Sequence, residues 1–181
     1  MKRFLVFFFA ISIFIGGLPI NGYGAEPSKL DRHTEQFLQT MDEQQKKQFA
    51  DIKMGHGVVR AVEYTNKSID RAIKSCGKNN PSLKPELISV HKSWKANLLP
   101  TLRKGEDRVD QMIKRQRIAK PLVIRSYLKE YDMAAVAKNK KIKEVPITSV
   151  EECRGLMGKM KSVENELMSL ITDTLKLNQE F

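Results

Sequence analysis

Between Cys153 and Leu177 the mainly apolar positions alternate in steps of three and four: Cys153, Leu156, Met160, Val163, Leu167, Leu170, Thr174 and Leu177. Only an α-helix gathers such a series on one face, and a seam of this length must be covered by other helices. Ser149, with Glu152 three places later, forms a capping box at its start. Gly155 and Gly158 flank that start, where a neighbour could approach closely. The constraint on the fold is therefore to supply helical partners for this segment.

Three further helices are expected. Thr40 with Glu43 reads as a capping box, opening a helix from Met41 to Cys76 that Gly77 stops. Its stripe is Phe49, Ile52, Val59, Val62, Ile69, Ile73 and Cys76, and Gly55 and Gly57 weaken its middle. A polar turn follows. A second helix starts near Leu83, with Ser82 as cap and Pro85 in its first turn, and ends before Pro121. Leu87, His91, Trp94, Leu98, Leu102, Val109 and Met112 mark its inner side, and Pro100 inside it predicts a bend. Pro121 opens a third helix, with Ile124, Leu128, Tyr131 and Ala135 inward, fading near Lys143. The fold class is all-α: an antiparallel four-helix bundle, up-down-up-down, over residues 41–181, with kinks near Gly55/Gly57 and Pro100.

The first 24 residues stand apart from this pattern. Lys2 and Arg3 precede the apolar stretch Phe4–Ile15, which Gly16, Gly17 and Pro19 interrupt before small residues at Gly22, Gly24 and Ala25. That order is a secretory signal, with cleavage expected after Gly24 or Ala25. Phe4 to Ile20 is short for a span of about 20 residues. Residues 25–40 are expected as a lead-in with a helical turn or two around Phe37 and Leu38. The destination is periplasmic or secreted, where two cysteines imply at most one internal disulfide. In an up-down-up-down bundle the first helix ends where the fourth begins, so Cys76 and Cys153 are expected to pair.

Motifs for chemistry are sparse. A di-metal bundle needs Glu-x-x-His, but Leu30, Lys53 and Ile88 stand three before His33, His56 and His91. HExxH, GxSxG, the phosphate-binding Gly-Lys loop and CxxCH do not occur. No cofactor is expected. Met157-x-x-Met160 has a spacing that could hold a soft metal, and also the residue type that fills cores. His91 and His56 are weak candidates for haem or metal ligation; hydrogen-bonded histidines are the plainer reading. Met54-Gly55-His56-Gly57 resembles a first-helix segment of the cytochrome c′ group, without the haem-attachment motif that defines the group. Thr40 to Ile52 loosely resembles the LTxxQ segments of small helical envelope-stress chaperones, with Gln39-Thr40 where these have Leu-Thr. Asn66-Lys67-Ser68 fits a glycosylation acceptor.

Charge is the remaining signal. The formal net charge is +11, and Lys2 and Arg3 are the leader's only charges. A basic exported protein meets anionic envelope components rather than nucleic acid. Lys114, Arg115, Arg117, Lys120 and Arg125 surround the turn between the second and third helices, with no acid between Asp110 and Glu130. A helix dipole favours cations at its C-terminal end, which accounts for Lys114 to Arg117 but not for Lys120 and Arg125. The five are candidate anion-binding residues. The expected function is a non-enzymatic envelope adaptor or chaperone-like binder, its partner an anionic envelope component or another envelope protein, with peripheral membrane-surface contact. A bundle holding non-covalent haem or metal and an enzyme of unrecognised type are the alternatives.

Overall fold

The computed structural model describes residues 28–140 and 145–179, and these are all-helical, without strands. The expected signal, residues 1–24, lies outside the described residues. Five α-helices follow one another: α1 (Lys29–Gln39), α2 (Glu43–Asn79), α3 (Lys84–Arg115), α4 (Pro121–Asn139) and α5 (Val150–Thr174). A short 3-10 turn, Pro81–Leu83, joins α2 to α3.

The expected lead-in contains a full helix rather than a turn or two. Ser28 and Asp31 form a reciprocal capping box at the start of α1. Phe37 then anchors the helix, its ring 5.1 Å from Phe49 and 6.1 Å from Tyr127. Thr40, with helical backbone angles, is the C-cap of α1 and donates its hydroxyl to the Phe37 carbonyl; α2 starts two residues later than a Thr40 cap would have it. Asp42, paired with Gln45, caps α2 instead.

The helix ends differ elsewhere too. α2 runs unbroken through Gly55, Gly57 and Gly77, and α3 contains Pro100 without interruption. α3 stops at Arg115, short of the expected boundary, because Gln116 builds the next turn. Its side-chain carbonyl accepts from the Ile118 and Ala119 amides at 2.5 and 3.1 Å, while its amide donates to the Ala119 carbonyl at 2.6 Å. Ser82 makes no cap bond; Pro81 sets the 3-10 turn in its place. The Ser149–Glu152 capping box starts α5 as the sequence predicts.

The core lies between α2, α3 and α5, with Trp94, Phe49, Ile52, Leu98 and Ile171 among its fully buried side chains. The buried seam of α5 is Cys153, Met157, Met160, Glu164, Leu167, Ile171 and Leu175. It shares Cys153, Met160 and Leu167 with the expected seam but turns the helix so that Leu156, Val163 and Leu170 are only half-buried. Met157 and Met160 are core residues. Glu164 is 3% exposed, and its carboxylate accepts from Lys161 at 2.7 Å and from Asn97 at 3.0 Å.

Two glycines admit the end of α5. A Cβ on Gly105 would stand 2.9 Å from Ile171 and 3.3 Å from both Leu175 and Val59. A Cβ on Gly55 would stand 2.5 Å from Leu175. After Thr174 the chain turns back through Lys176, at φ 49°, the left-handed region that glycine usually fills. The Leu177 amide bonds the Thr172 carbonyl and the Lys176 amide bonds that of Asp173, the two bonds of a Schellman close. Gly155 and Gly158, expected to admit a neighbour, have nothing near their missing Cβ atoms.

Cys76 and Cys153 are joined in a disulfide, their Cα atoms 5.7 Å apart and both residues fully buried. Asn80 braces this end. Its side-chain amide reaches the Thr148 carbonyl at 2.8 Å and the Cys153 Sγ at 3.5 Å, and Ser75 donates to the Ile147 carbonyl at 2.9 Å.

α4 is buried at Ile124, Tyr127 and Leu128. Tyr131 is half-buried, and Ala135, expected inward, is exposed with the whole stretch Met133–Ala137.

Three stability outcomes follow. Gly105→Ala adds a methyl among three buried side chains and should cost about 1–3 kcal/mol, against a helix-propensity gain of about 1. Gly158→Ala, in open space, should stabilise by about 0.5–1 kcal/mol. Urea midpoints would show opposite shifts; equal gains would mean that the Gly105 notch is not tight. Replacing both cysteines by Ala should lower stability by roughly 2–4 kcal/mol, and thiol titration of the denatured, unreduced protein should find no reactive thiol.

Candidate functional site

All three histidines of the chain pair with a carboxylate on another helix. His91, on α3, bonds Asp70 of α2 at 2.5 Å, and Lys95 reaches the same carboxylate at 3.1 Å. Burial pushes the Asp70 carboxyl up, but the hydrogen bonds from His91 and Lys95 outweigh it and hold the group below the usual carboxylate range. One turn away the Trp94 indole donates to Asn66 at 2.9 Å. That bond engages the side chain of the glycosylation-like triplet within the α2–α3 contact.

His56, 9% exposed on α2, bonds Asp132 of α4 at 2.8 Å, and Arg60 adds its Nε to Asp132 at 3.3 Å. His33, on α1, bonds Glu130 of α4 at 2.9 Å. The candidate ligands His56 and His91 are therefore far apart, since His91 meets α2 at Asp70, about 21 Å along the helix from His56, and each is engaged by an acid. Among the described residues no group of three or more His, Cys, Asp or Glu is arranged to hold a metal ion.

A cleft of about 480 Å³ opens between α2, α3 and α4, bounded by His56, Arg60, Glu106, Asp110, Arg125 and Asp132. Burial, and then a hydrogen bond shared with Glu63, push the Glu106 carboxyl up. Acids and bases alternate around this cleft, and they bond mainly to one another.

The five candidate anion-binding residues gather at the α3–α4 turn. Lys114 and Arg115 occupy the last turn of α3, Arg117 and Lys120 the connection, and Arg125 the second turn of α4. The connection is fixed to the start of α2: Gln45 donates to the Arg117 carbonyl at 3.0 Å, and the Arg117 amide donates to Gln48 at 3.4 Å. Cys76 lies more than thirty residues further along α2, about 45 Å away at ~1.5 Å per residue, so the basic turn and the disulfide mark opposite poles.

Besides Asp42 and Glu43 at the start of α2, Asp110 is an acid at this pole. It bonds Lys114 at 2.6 Å and also Arg125, and hydrogen bonds from Lys114 and then Arg125 hold its carboxyl below the usual range. Arg125 is therefore compensated, contrary to the expectation from its place early in α4. The Asp110–Lys114 contact was legible as an i, i+4 pair; that of Asp110 with Arg125 crosses helices and was not. Arg117 and Lys120 are exposed.

Comparison with protein-family models, with curated proteins and with solved structures finds no match for the chain.

The Asp70–His91 pair carries a pH signature. A carboxyl with a lowered folded value contributes stability above its ordinary value of 3.8, and that contribution is lost as pH falls through the folded value. The stability gap between wild type and Asp70→Asn should therefore be full near neutrality and close in acid. Denaturation midpoints from pH 7 down to about 2 would test it; a gap independent of pH would remove the ionic contribution.

Proposed function

We propose that the protein is an exported, non-enzymatic binder whose contact surface includes the basic pole at the α3–α4 turn, and whose partner is an anionic component of the cell envelope. One observation carries this reading: five cations gather at one turn, where Asp110 bonds Lys114 and Arg125 while Arg117 and Lys120 are exposed. The buried disulfide supports an oxidising compartment.

The scaffold proposed for this surface is the antiparallel arrangement of α2, α3, α4 and α5, up-down-up-down, with α1 laid across its side. Contacts along the helices support it. Trp94 meets Asn66 while Gly105 faces Val59, so α3 returns along α2. Cys153 meets Cys76 while Leu175 faces Gly55, so α5 also runs against α2. Phe49 meets Tyr127 and His56 meets Asp132, so α4 runs with α2. A shallow bend at Pro100, where one backbone bond is lost, completes the proposed geometry. A haem or metal reading gains no support from the histidines: the pairs with Asp132 and Asp70 leave Nδ1 of His56 and His91 for a ligand, but among the described residues no group of three His, Cys, Asp or Glu is arranged around either.

The test is co-sedimentation with isolated cell-wall fragments at low salt, comparing wild type with Arg115→Glu/Arg117→Glu/Lys120→Glu. Binding should weaken at least about tenfold in the variant, a change of about 1.4 kcal/mol. Wild-type binding should fade as salt shortens the screening length from about 10 Å at 0.1 M to about 3 Å at 1 M. Equal binding by the two proteins would reduce the cluster to a solvated helix end.

A further inference from the structure

Where α4 leaves the core, the run Met133–Ala137 is apolar on every side. Met133, Ala134, Ala135, Val136 and Ala137 are all exposed, Met133 at 55% and Val136 at 53%. Leu122, at the other end of the helix, is 77% exposed. At 100° per residue Leu122, Lys129, Met133, Val136 and Lys140 share one face, turned away from the buried Ile124, Tyr127 and Leu128. A helix that is apolar all round normally lies inside a core or against another phase.

The charges of α4 are sorted by the same division. Its acids are Glu130 and Asp132, and both are engaged towards the bundle, by His33 and by His56 with Arg60. The outward face carries Lys129 and Lys140, and Lys120 caps its start; all three are exposed. Apolar side chains interspersed with lysines, without an acid among them, match the boundary between anionic headgroups and acyl chains. A second copy of the chain fits poorly, because a self-complementary contact through this face would set lysines against lysines. Crossing a bilayer is a different matter: among the described residues no helix is long and apolar enough for it.

We infer that the outward face of α4 rests on an anionic phospholipid bilayer, with Leu122, Met133 and Val136 entering the acyl boundary and Lys120, Lys129 and Lys140 at the headgroup phosphates. The inference rests on the reading of the basic pole as an anion-binding surface and names the surface. α4 lies along the bilayer plane, and Arg117 beside Lys120 extends the contact from the helix to the pole. Each lysine near such a surface strengthens binding about fivefold, so affinity should depend on anionic lipid, with an apolar part that salt does not remove.

The test is co-sedimentation of the full chain with phosphatidylglycerol/phosphatidylcholine vesicles and with phosphatidylcholine alone, at 0.1 and 0.5 M salt. The N-terminal apolar stretch is common to every variant, so differences between variants report on α4. Binding should require phosphatidylglycerol and fall at least about tenfold in Met133→Asp/Val136→Asp and in Lys129→Glu/Lys140→Glu. All four positions are exposed, so helical circular dichroism and thermal midpoint should stay unchanged, and a variant that shifted them would be replaced by Leu122→Ser/Val136→Ser. Undiminished vesicle binding by the α4 variants overturns the inference; if the basic-pole variant still fails on cell-wall fragments, the proposed function stands without it. Loss of vesicle binding in the α4 variants but not in the basic-pole variant upholds the lipid contact and removes the pole from it. A lipid-free wild type that sediments as a dimer, with Met133→Asp/Val136→Asp monomeric, assigns the face to a second copy and overturns the inference.

Discussion

Leu175 occupies a notch that exists because residues 55 and 105 are glycine. The last turns of α5 can then approach the backbones of α2 and α3 together, which side chains at either position would prevent. The disulfide fixes the other end of α5 against the last turns of α2. With both ends set, the rotation of α5 is determined. That rotation buries Met157, Glu164 and Ile171 in place of Leu156, Val163 and Leu170. The cost of an inward carboxylate is met by Lys161 and Asn97, which donate to it from its own helix and from α3.

α4 obeys a different rule. Three large side chains attach it to the core, and polar contacts do much of the rest: Thr34 with Tyr127 at 2.7 Å, His33 with Glu130, His56 with Asp132, and Arg125 with Asp110. Burial raises the Tyr127 hydroxyl above its ordinary value; its ring packs on Phe37 and Phe49 and its hydroxyl meets that of Thr34 on α1. α1 matters for this reason, since it closes one side of α4 that α2 and α3 leave open. A docked helix of this kind keeps a face that the fold does not need.

The helices were legible in the sequence, and so was the cysteine pairing, because periodicity and capping boxes are local and two cysteines admit one bridge. The Ser149–Glu152 box and the Pro121 start were read correctly for that reason. What was missed depends on contacts that no local pattern encodes. Thr40 has the residue type of a cap, but the helix α1 continues into it and gives it helical backbone angles. The α5 seam was off by one position because Leu156 and Met157 are equally apolar, and only the close approach at Gly55 and Gly105 decides between them. The left-handed turn at Lys176 carries no glycine to announce it. At the basic pole the cations were visible, while the contact of Asp110 with Arg125 crosses from one helix to another.

The excess of positive charge does not by itself make a binding surface; its placement relative to the acids does. Each acid of α4 is engaged by groups on the bundle side, so the field outside that helix comes from its lysines. Acids on the far side of a helical bundle contribute little there, because a helix alone is about 10 Å across and the screening length at physiological salt is about 8 Å. The histidine pairs thus have two effects. They fasten α4 to α1 and α2, and they withdraw from its outer face the only negative charges the helix possesses. Attachment of the helix and the cationic character of its exposed side are consequences of the same contacts.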